Sequence, residues 1–80
     1  MFFVYAIRSE KDGRIYVGMC SKIETRLKEH NAGKTPSIKN GIPWKLVWST
    51  MTENRQQAMA LEKKIKARGA KRFLEDLNQT

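Results

Sequence analysis

The chain has 80 residues, of which 16 are Lys or Arg and 8 are Asp or Glu, so its formal net charge is +8. A chain of this length forms one domain with a small core, because it buries only roughly 60% of its unfolded surface. A hydrophobic content of 40% is enough for a globular fold, and the lone cysteine excludes an internal disulfide and a cysteine-rich zinc site. We therefore expect a single domain over residues 1–80 in the cytoplasm, with no membrane-spanning segment.

The first residues predict a β-hairpin. Residues 2–8 and 14–20 are rich in aromatic and β-branched side chains, which favours two strands. Asp12-Gly13 between them is a turn signal. The two strands should therefore pair as antiparallel neighbours.

The next segment predicts an amphipathic helix. Ser21 and, three residues later, Glu24 form a capping-box signature at its start, and Gly33 is a typical residue just past a helix end. Ile23 and Leu27 mark its buried stripe. We expect the helix to lie with this stripe on the sheet.

A polar loop and a third strand should follow. Residues 35–41 carry Lys39 and no acidic residue, which favours a basic loop. The run "WKLVW" after Pro43 predicts a strand with Trp44, Leu46 and Trp48 on one face, because side chains alternate along a strand.

Two helices complete the predicted fold. Asn54 and Gln57 form the capping signature of a long helix that ends at Gly69. Residues 70–78 predict a short last helix, and its inward side chains should be Phe73, Leu74 and Leu77. The order β-β-α-β-α-α indicates an α+β fold with a small three-stranded antiparallel sheet flanked by helices.

Positive charge is concentrated in residues 30–72. This segment has ten basic side chains against two acidic ones, a surplus of eight that equals the whole net charge. Such a surface attracts phosphate backbones, although a solvated helix face is the alternative interpretation. The candidate nucleic-acid-binding residues are Lys34, Lys39, Lys45, Lys63 and Lys66.

Glu62 interrupts the apolar stripe of the long predicted helix. At about 100° per residue it falls between Ala58 and Ile65, both members of that stripe. An inward carboxylate is costly unless it is paired, hydrated or bound to a metal. Glu62 is therefore either a metal ligand or the partner of Lys66 in an i, i+4 ion pair.

Arg26 and His30 share a face of the first predicted helix, because they are four residues apart. That face borders the buried stripe, so Arg26 would lie near the sheet, where a guanidinium can hold a phosphate with two hydrogen bonds. A histidine beside an apolar stripe often has only a structural role.

Each hairpin strand carries one tyrosine. A four-residue turn gives a register in which Tyr5 lies opposite Gly18 and Tyr16 opposite Ile7, so both phenols share one face. Because Gly18 has no side chain, we expect open space for a ligand there. Core packing is the alternative for both tyrosines. Two phenols, an arginine, a histidine and an inward carboxylate in a basic chain fit metal-assisted phosphodiester hydrolysis.

The ordered motifs resemble the GIY-YIG nucleases, in particular their small stand-alone bacterial branch. "FVY", which ends at Tyr5, and "YVG", which begins at Tyr16, stand where that family has its two tripeptides. "RLKEHN" is similar to its helix motif, and "ALEKKIK" places Glu62 at its metal-binding glutamate. Phe3 replaces the usual glycine, and only Asn78 is available for a late asparagine, so we give Asn78 no role.

The resemblance implies a role for each matching residue. Tyr5 and Tyr16 would line the site, and one of them would activate the attacking water. Arg26 would hold the scissile phosphate, His30 would orient a group or relay a proton, and Glu62 would hold one Mg²⁺ or Mn²⁺ ion. The implied activity is a metal-dependent endonuclease acting on nucleic acid, with DNA as the expected partner. Two alternatives are a nucleic-acid-binding module that keeps the fold but has little or no catalytic activity, and an adaptor that docks a protein partner.

Overall fold

The computed structural model describes residues 1–78 and contains a three-stranded antiparallel sheet in the order β2-β1-β3. This arrangement confirms the predicted α+β class and the order of the main elements. Gln79 and Thr80, the last two residues of the expected domain, lie outside the described residues. The elements are β1 (Phe2–Ser9), β2 (Ile15–Cys20), α1 (Ile23–Asn31), a 3₁₀ helix (Pro36–Gly41), β3 (Trp44–Thr52), α2 (Arg55–Arg68) and α3 (Ala70–Leu77).

The sheet has a hydrophobic cluster on each face, because successive side chains of a strand point to opposite sides. One cluster joins the sheet to α2 and α3, and its buried members are Val4, Ala6, Val17, Ala58 and Ile65. The other lies on the face of α1 and the 3₁₀ helix, with Tyr5, Ile7, Cys20, Ile38 and Trp44 buried. The central strand β1 therefore contributes to both clusters. Among residues 1–78 no helix combines the length and the apolar character that crossing a bilayer requires.

The hairpin register agrees with the prediction. Tyr5 pairs with Gly18, and Ile7 pairs with Tyr16. The four-residue turn closes with a hydrogen bond from the Ser9 N–H to the Arg14 carbonyl, 2.9 Å long. Both tyrosines consequently project from the face that α1 covers.

The predicted common face of the third strand is wrong for Trp48. Ala6 pairs with Trp48 but Ile7 pairs with Leu46, so Val47 is an extra residue in β3. A bulge of this kind shifts the alternation by one position. Trp44 and Leu46 therefore pack on the α1 face, whereas Trp48 packs on the opposite face.

The two predicted helix starts differ in outcome. At α2 the Asn54 side chain accepts a hydrogen bond of 2.9 Å from the Gln57 N–H, and the Gln57 side chain accepts one of 3.0 Å from the Glu53 N–H. This cap confirms the prediction. The Ser21–Glu24 capping box is wrong, because α1 has Lys22 at its N-cap position and no side-chain cap.

Two smaller predictions also fail. The segment predicted as a polar loop forms the 3₁₀ helix, which begins with Pro36 at its first turn and buries Ile38 in the cluster below α1. In α3, Phe73 and Leu74 pack against the sheet as predicted, but Leu77 is 44% exposed at the last residue of the helix.

Asn31 attaches the end of α1 to the start of β3. Its side-chain N–H donates to the Trp44 carbonyl over 3.0 Å, and its side-chain oxygen accepts from the Trp44 N–H over 2.6 Å. The Trp44 indole N–H donates to the Ile38 carbonyl over 2.9 Å. These bonds hold the last turn of α1, which carries His30, in a set position above the sheet.

Replacing Asn31 with Ala should lower the free energy of unfolding by about 2 kcal/mol. The change removes both hydrogen bonds to Trp44 and leaves two main-chain groups to find new partners. Urea denaturation of the variant and the wild-type protein measures the difference. Asn40→Ala is the matched control: it removes only an exposed hydrogen bond from Arg14 and should change stability by about 0.5 kcal/mol or less. Equal losses in the two variants would contradict the anchoring role of Asn31.

Candidate functional site

Tyr5 fills the space above Gly18. The side chain of Tyr5 is buried, and a Cβ atom added at Gly18 would lie 2.5 Å from its hydroxyl oxygen and 2.8 Å from its Cζ. The expected open ligand space at Gly18 is therefore wrong. The missing side chain instead allows the Tyr5 ring to reach across β2.

His30 connects to both the sheet and the segment that follows α1. It is only 2% exposed, and both of its ring nitrogens have partners. Nε2 lies 2.7 Å from the Tyr5 hydroxyl oxygen, and Nδ1 lies 2.8 Å from Thr35 Oγ1. The last turn of α1 thus forms a hydrogen-bonded chain from the central strand through the imidazole to Thr35.

Thr35 was not identified from the sequence. It follows the chain reversal at Gly33, where the backbone has a φ of +78°. Because helical spacing stops applying beyond such a residue, the sequence has no pattern that pairs Thr35 with His30. The only available signal is the presence of a hydroxyl residue five positions after a histidine.

Tyr16 has a different environment from Tyr5. Its ring is half-buried and packs edge-on against His30, with ring centroids 5.4 Å apart. The Lys66 ammonium nitrogen lies 5.9 Å from the centre of the Tyr16 ring. Within residues 1–78 the Tyr16 hydroxyl has no hydrogen bond to the protein, so its oxygen is available to a ligand.

Burial keeps both members of the Tyr5–His30 pair neutral. It is the largest cause of the raised pKa of Tyr5, and the neighbouring Tyr16 raises that pKa further while Arg26 lowers it. Burial also lowers the pKa of His30, and the positive charge of Arg26 adds to this effect. Near neutral pH the free protein therefore contains a phenol hydrogen-bonded to an uncharged imidazole.

Arg26 lies at the exposed rim of this arrangement. Its side chain is 46% exposed, and its nearest acidic contact is from Nε to Glu29 Oε1, over 3.7 Å. That distance exceeds hydrogen-bonding range, so the contact is weak. The guanidinium is close enough to act on the pKa values of both Tyr5 and His30, and it is free to turn towards an anionic ligand.

Glu62 lies on α2 with its side chain 21% exposed, and its Oε1 is 2.9 Å from Lys66 Nζ. The structure thus contains the i, i+4 ion pair with Lys66 that the sequence offered as the alternative to a metal ligand, and Glu62 is half-buried. Glu62 also contributes to raising the pKa of Tyr5, which means that its charge acts on the tyrosine site. The pair therefore belongs to the same region as the two phenols.

The candidate nucleic-acid-binding lysines do not form one patch. Lys63 and Lys66 line an open groove beside β2, whose other lining residues are Met19, Arg55, Met59 and Glu62. Lys34 and Lys39 are exposed beyond the end of α1. Lys45 pairs with Arg8 and therefore projects from the sheet face opposite the tyrosines. A nucleic acid on the tyrosine face would not reach Lys45 directly.

The acidic residues of the site fit only one kind of metal binding. Among residues 1–78 no group of three or more His, Cys, Asp or Glu side chains could enclose an ion. Magnesium is commonly bound by one or two carboxylates, several waters and the phosphate oxygens of a substrate. Glu62 alone fits such a shared ion, but the chain does not provide a complete set of protein ligands.

Comparison with known proteins adds a family match. A family model described as the GIY-YIG catalytic domain matches residues 1–75, which include the whole candidate site. A UPF0213 protein of Bacillus licheniformis is 32% identical over 76 residues, covering 90% of this chain and 78% of the relative. A UPF0213 protein of Staphylococcus haemolyticus is 35% identical over 65 residues, covering 80% of this chain and 78% of the relative. A UPF0213 protein of Vibrio parahaemolyticus is 38% identical over 64 residues, covering 79% of this chain and 59% of the relative. No solved structure matches the chain significantly.

The stability of the protein should fall between about pH 7 and pH 5 because of His30, its only histidine. Since the pKa of His30 is lowered on folding, the unfolded chain takes up this proton at a higher pH than the folded protein does. The free energy of unfolding therefore decreases with acidification, by at most about 1.4 kcal/mol per pH unit for one proton.

Urea denaturation of the wild-type protein and of His30→Asn at several pH values checks this expectation. The variant should lose the pH dependence in this window. An identical decrease in both proteins would assign the effect to other groups and contradict the buried neutral imidazole.

Proposed function

Since the chain belongs to the GIY-YIG family, we propose that it is a metal-dependent endonuclease that hydrolyses phosphodiester bonds of nucleic acid, with DNA as the expected substrate. The observation that carries this proposal is the meeting of Tyr5, Tyr16 and His30 on one sheet face, with an exposed guanidinium and a carboxylate beside them. A nuclease-type fold and a net charge of +8 support a nucleic-acid substrate in general. We also propose that residues 1–80 act as one domain in the cytoplasm.

Arg26 is the residue we assign to the scissile phosphate. Its planar guanidinium can donate two parallel hydrogen bonds to phosphate oxygens, and its loose contact with Glu29 is easily exchanged for them. The same donors can stabilise the charge that develops on the phosphate during hydrolysis. Lys63, in the open groove beside β2, adds a second positive charge for the backbone.

Tyr16 is the phenol we assign to the attacking water. Its hydroxyl is available, whereas the Tyr5 hydroxyl is buried and bonded to His30. A tyrosine oxygen placed within hydrogen-bonding reach of a water can orient it and take up its proton. The Lys66 ammonium, 5.9 Å from the centre of the Tyr16 ring, adds a positive charge near the site for the substrate backbone. His30 then supports the Tyr16 ring by packing against it, and Tyr5 holds His30 in place through their hydrogen bond.

Glu62 is the residue that would hold a magnesium or manganese ion. When bound, such an ion supplies charge stabilisation to the phosphate oxygens. In the free protein the Glu62 carboxylate is neutralised by Lys66, which lowers the cost of keeping it half-buried. The side chain remains partly exposed and can therefore exchange this partner for another cation.

A binding module without catalytic activity is the second candidate. It is favoured by the Glu62–Lys66 ion pair and by the lack of a group of three metal ligands among residues 1–78. The two functions differ in one respect that is easily measured. Both bind nucleic acid in the presence of EDTA, but only the nuclease cleaves it when magnesium or manganese is added.

A cleavage assay on labelled single-stranded, duplex and branched DNA tests the proposal directly. The wild-type protein is incubated with each substrate in Mg²⁺ or Mn²⁺, and the EDTA reaction is the control. We expect cleavage that depends on the metal ion. Binding to these substrates without cleavage under any of these conditions would contradict the nuclease and leave the binding module.

Glu62→Gln should abolish cleavage with little effect on stability. The substitution keeps the shape of the side chain and removes the charge that would hold the ion, so the rate should fall by about 100-fold or more. The loss of an ion pair with an exposed Lys66 should change the free energy of unfolding by about 0.5 kcal/mol or less. Cleavage rates in Mg²⁺ and thermal melts without metal measure the two effects.

The matched control is Glu75→Gln, which makes the same change at an exposed position of α3. It should cleave DNA at the wild-type rate. Near-normal cleavage by Glu62→Gln would remove Glu62 from the proposed site. Equal loss of cleavage in the two variants would show that the effect is one of overall charge.

A further inference from the structure

We infer that Thr35 is a positioning residue that sets the tautomer of His30. The two side chains meet after the end of α1, where Thr35 Oγ1 lies 2.8 Å from His30 Nδ1. On the other side of the ring, Nε2 lies 2.7 Å from the Tyr5 hydroxyl. The consequence for cleavage rests on the proposed function, but the tautomer itself does not.

The tautomer of His30 depends on the groups at both ring nitrogens, and the Tyr5 hydroxyl is the one at Nε2. Within residues 1–78 this buried hydroxyl has a hydrogen bond to His30 Nε2 and to no other group. A buried hydroxyl donates its proton where an acceptor is available, because an unpaired donor is costly. Nε2 must then be unprotonated, and the neutral ring must carry its proton on Nδ1. The raised pKa of Tyr5 is consistent with a phenol that keeps its proton.

Thr35 is suited to receive the Nδ1 proton. It precedes the 3₁₀ helix, but its side chain makes no capping hydrogen bond to that helix, so the oxygen remains available to His30. A hydroxyl can accept from Nδ1–H without introducing a charge. Arg26 and burial both disfavour the imidazolium, so a neutral partner suits this ring better than a carboxylate would.

This arrangement distinguishes between the two roles considered for His30. An imidazole that relays protons must be able to become charged, and a carboxylate on its second nitrogen is the usual support. Here the second partner is neutral and the ring is buried. His30 therefore acts as a fixed acceptor that orients the Tyr5 hydroxyl. Because Tyr5 donates its proton to His30, its oxygen can only accept a hydrogen bond from any further group. If Thr35 had only a structural role, it would fill space without controlling the direction of the Tyr5–His30 hydrogen bond.

Nitrogen-15 NMR of the His30 ring tests the inference without requiring activity. Because His30 is the only histidine, the spectrum contains the signals of a single imidazole. In the wild-type protein Nδ1 should be protonated and Nε2 unprotonated. Thr35→Ser keeps the hydroxyl and should preserve this state, whereas Thr35→Val removes it and should shift protonation towards Nε2. Thr50→Val makes the same change on the opposite sheet face and should leave the ring unaltered.

Cleavage assays on the same proteins test the functional consequence. Outer-shell partners that orient a metal-ligating histidine typically contribute about 10- to 100-fold, and we expect a loss of similar size for Thr35→Val, while Thr35→Ser and Thr50→Val keep the wild-type rate. If Thr35→Val does not fold, Thr35→Ala removes the same hydroxyl with less bulk. Each variant is compared by its amide spectrum to confirm that the fold is retained.

Three outcomes would overturn the inference. A wild-type ring protonated on Nε2 would reverse the assigned direction of both hydrogen bonds. An unchanged tautomer in Thr35→Val would show that Thr35 does not set it. A changed tautomer with normal cleavage would refute the positioning role. A wild-type protein that never cleaves nucleic acid would instead contradict the proposed function, and the NMR result would still decide the tautomer.

Discussion

The hydrogen bond between Tyr5 and His30 connects the centre of the sheet to the helix that covers it. Its two atoms lie 2.7 Å apart, in side chains that are 3% and 2% exposed. Burial of either polar group without a partner would cost on the order of 1–3 kcal/mol, so each residue requires the other. Within residues 1–78 no buried side-chain nitrogen or oxygen lacks a hydrogen bond. The position of α1 over the sheet is therefore tied to the chemistry of the candidate site.

Several neighbouring residues make the Tyr5–His30 hydrogen bond possible. Gly18 leaves room for the Tyr5 ring, and Asn31 holds the neighbouring turn of α1 against β3. Tyr16 packs on the free side of the imidazole and presents an oxygen that has no protein partner within residues 1–78. The result is a neutral, hydrogen-bonded centre, with the charges of Arg26 and of the Glu62–Lys66 pair at its rim. Such a centre can accept a phosphate without first burying one of its own charges.

Local patterns predicted the parts of the fold that depend on local rules. The length of the turn gives the register that pairs Tyr5 with Gly18, and the alternation of side chains then places both phenols on one face. The Asn54 cap and the Gly69 end of α2 follow from residue chemistry at the helix ends. Glu62 was identified because a carboxylate in an apolar stripe needs a partner.

Features that depend on tertiary contacts could not be predicted in this way. The bulge at Val47 is not marked in the sequence, and it alone moves Trp48 to the other face. The absence of a side chain at Gly18 was visible, but not which neighbour would occupy the space. Thr35 reaches His30 only because the chain reverses direction after α1. Contacts of this kind are decided by packing, which helical or strand periodicity does not describe.

We propose that the available hydroxyl of Tyr16 takes part in phosphodiester hydrolysis at this site. Tyr16→Phe removes that oxygen alone and keeps the ring that packs against His30 and Trp44. The most direct measurement is the cleavage rate of this variant and of the wild-type protein on one labelled DNA substrate in Mg²⁺, with thermal melts to confirm equal stability. We expect a rate at least about 100-fold lower at unchanged stability, because positioned proton transfer typically contributes that much. Equal rates in the two proteins would contradict the account.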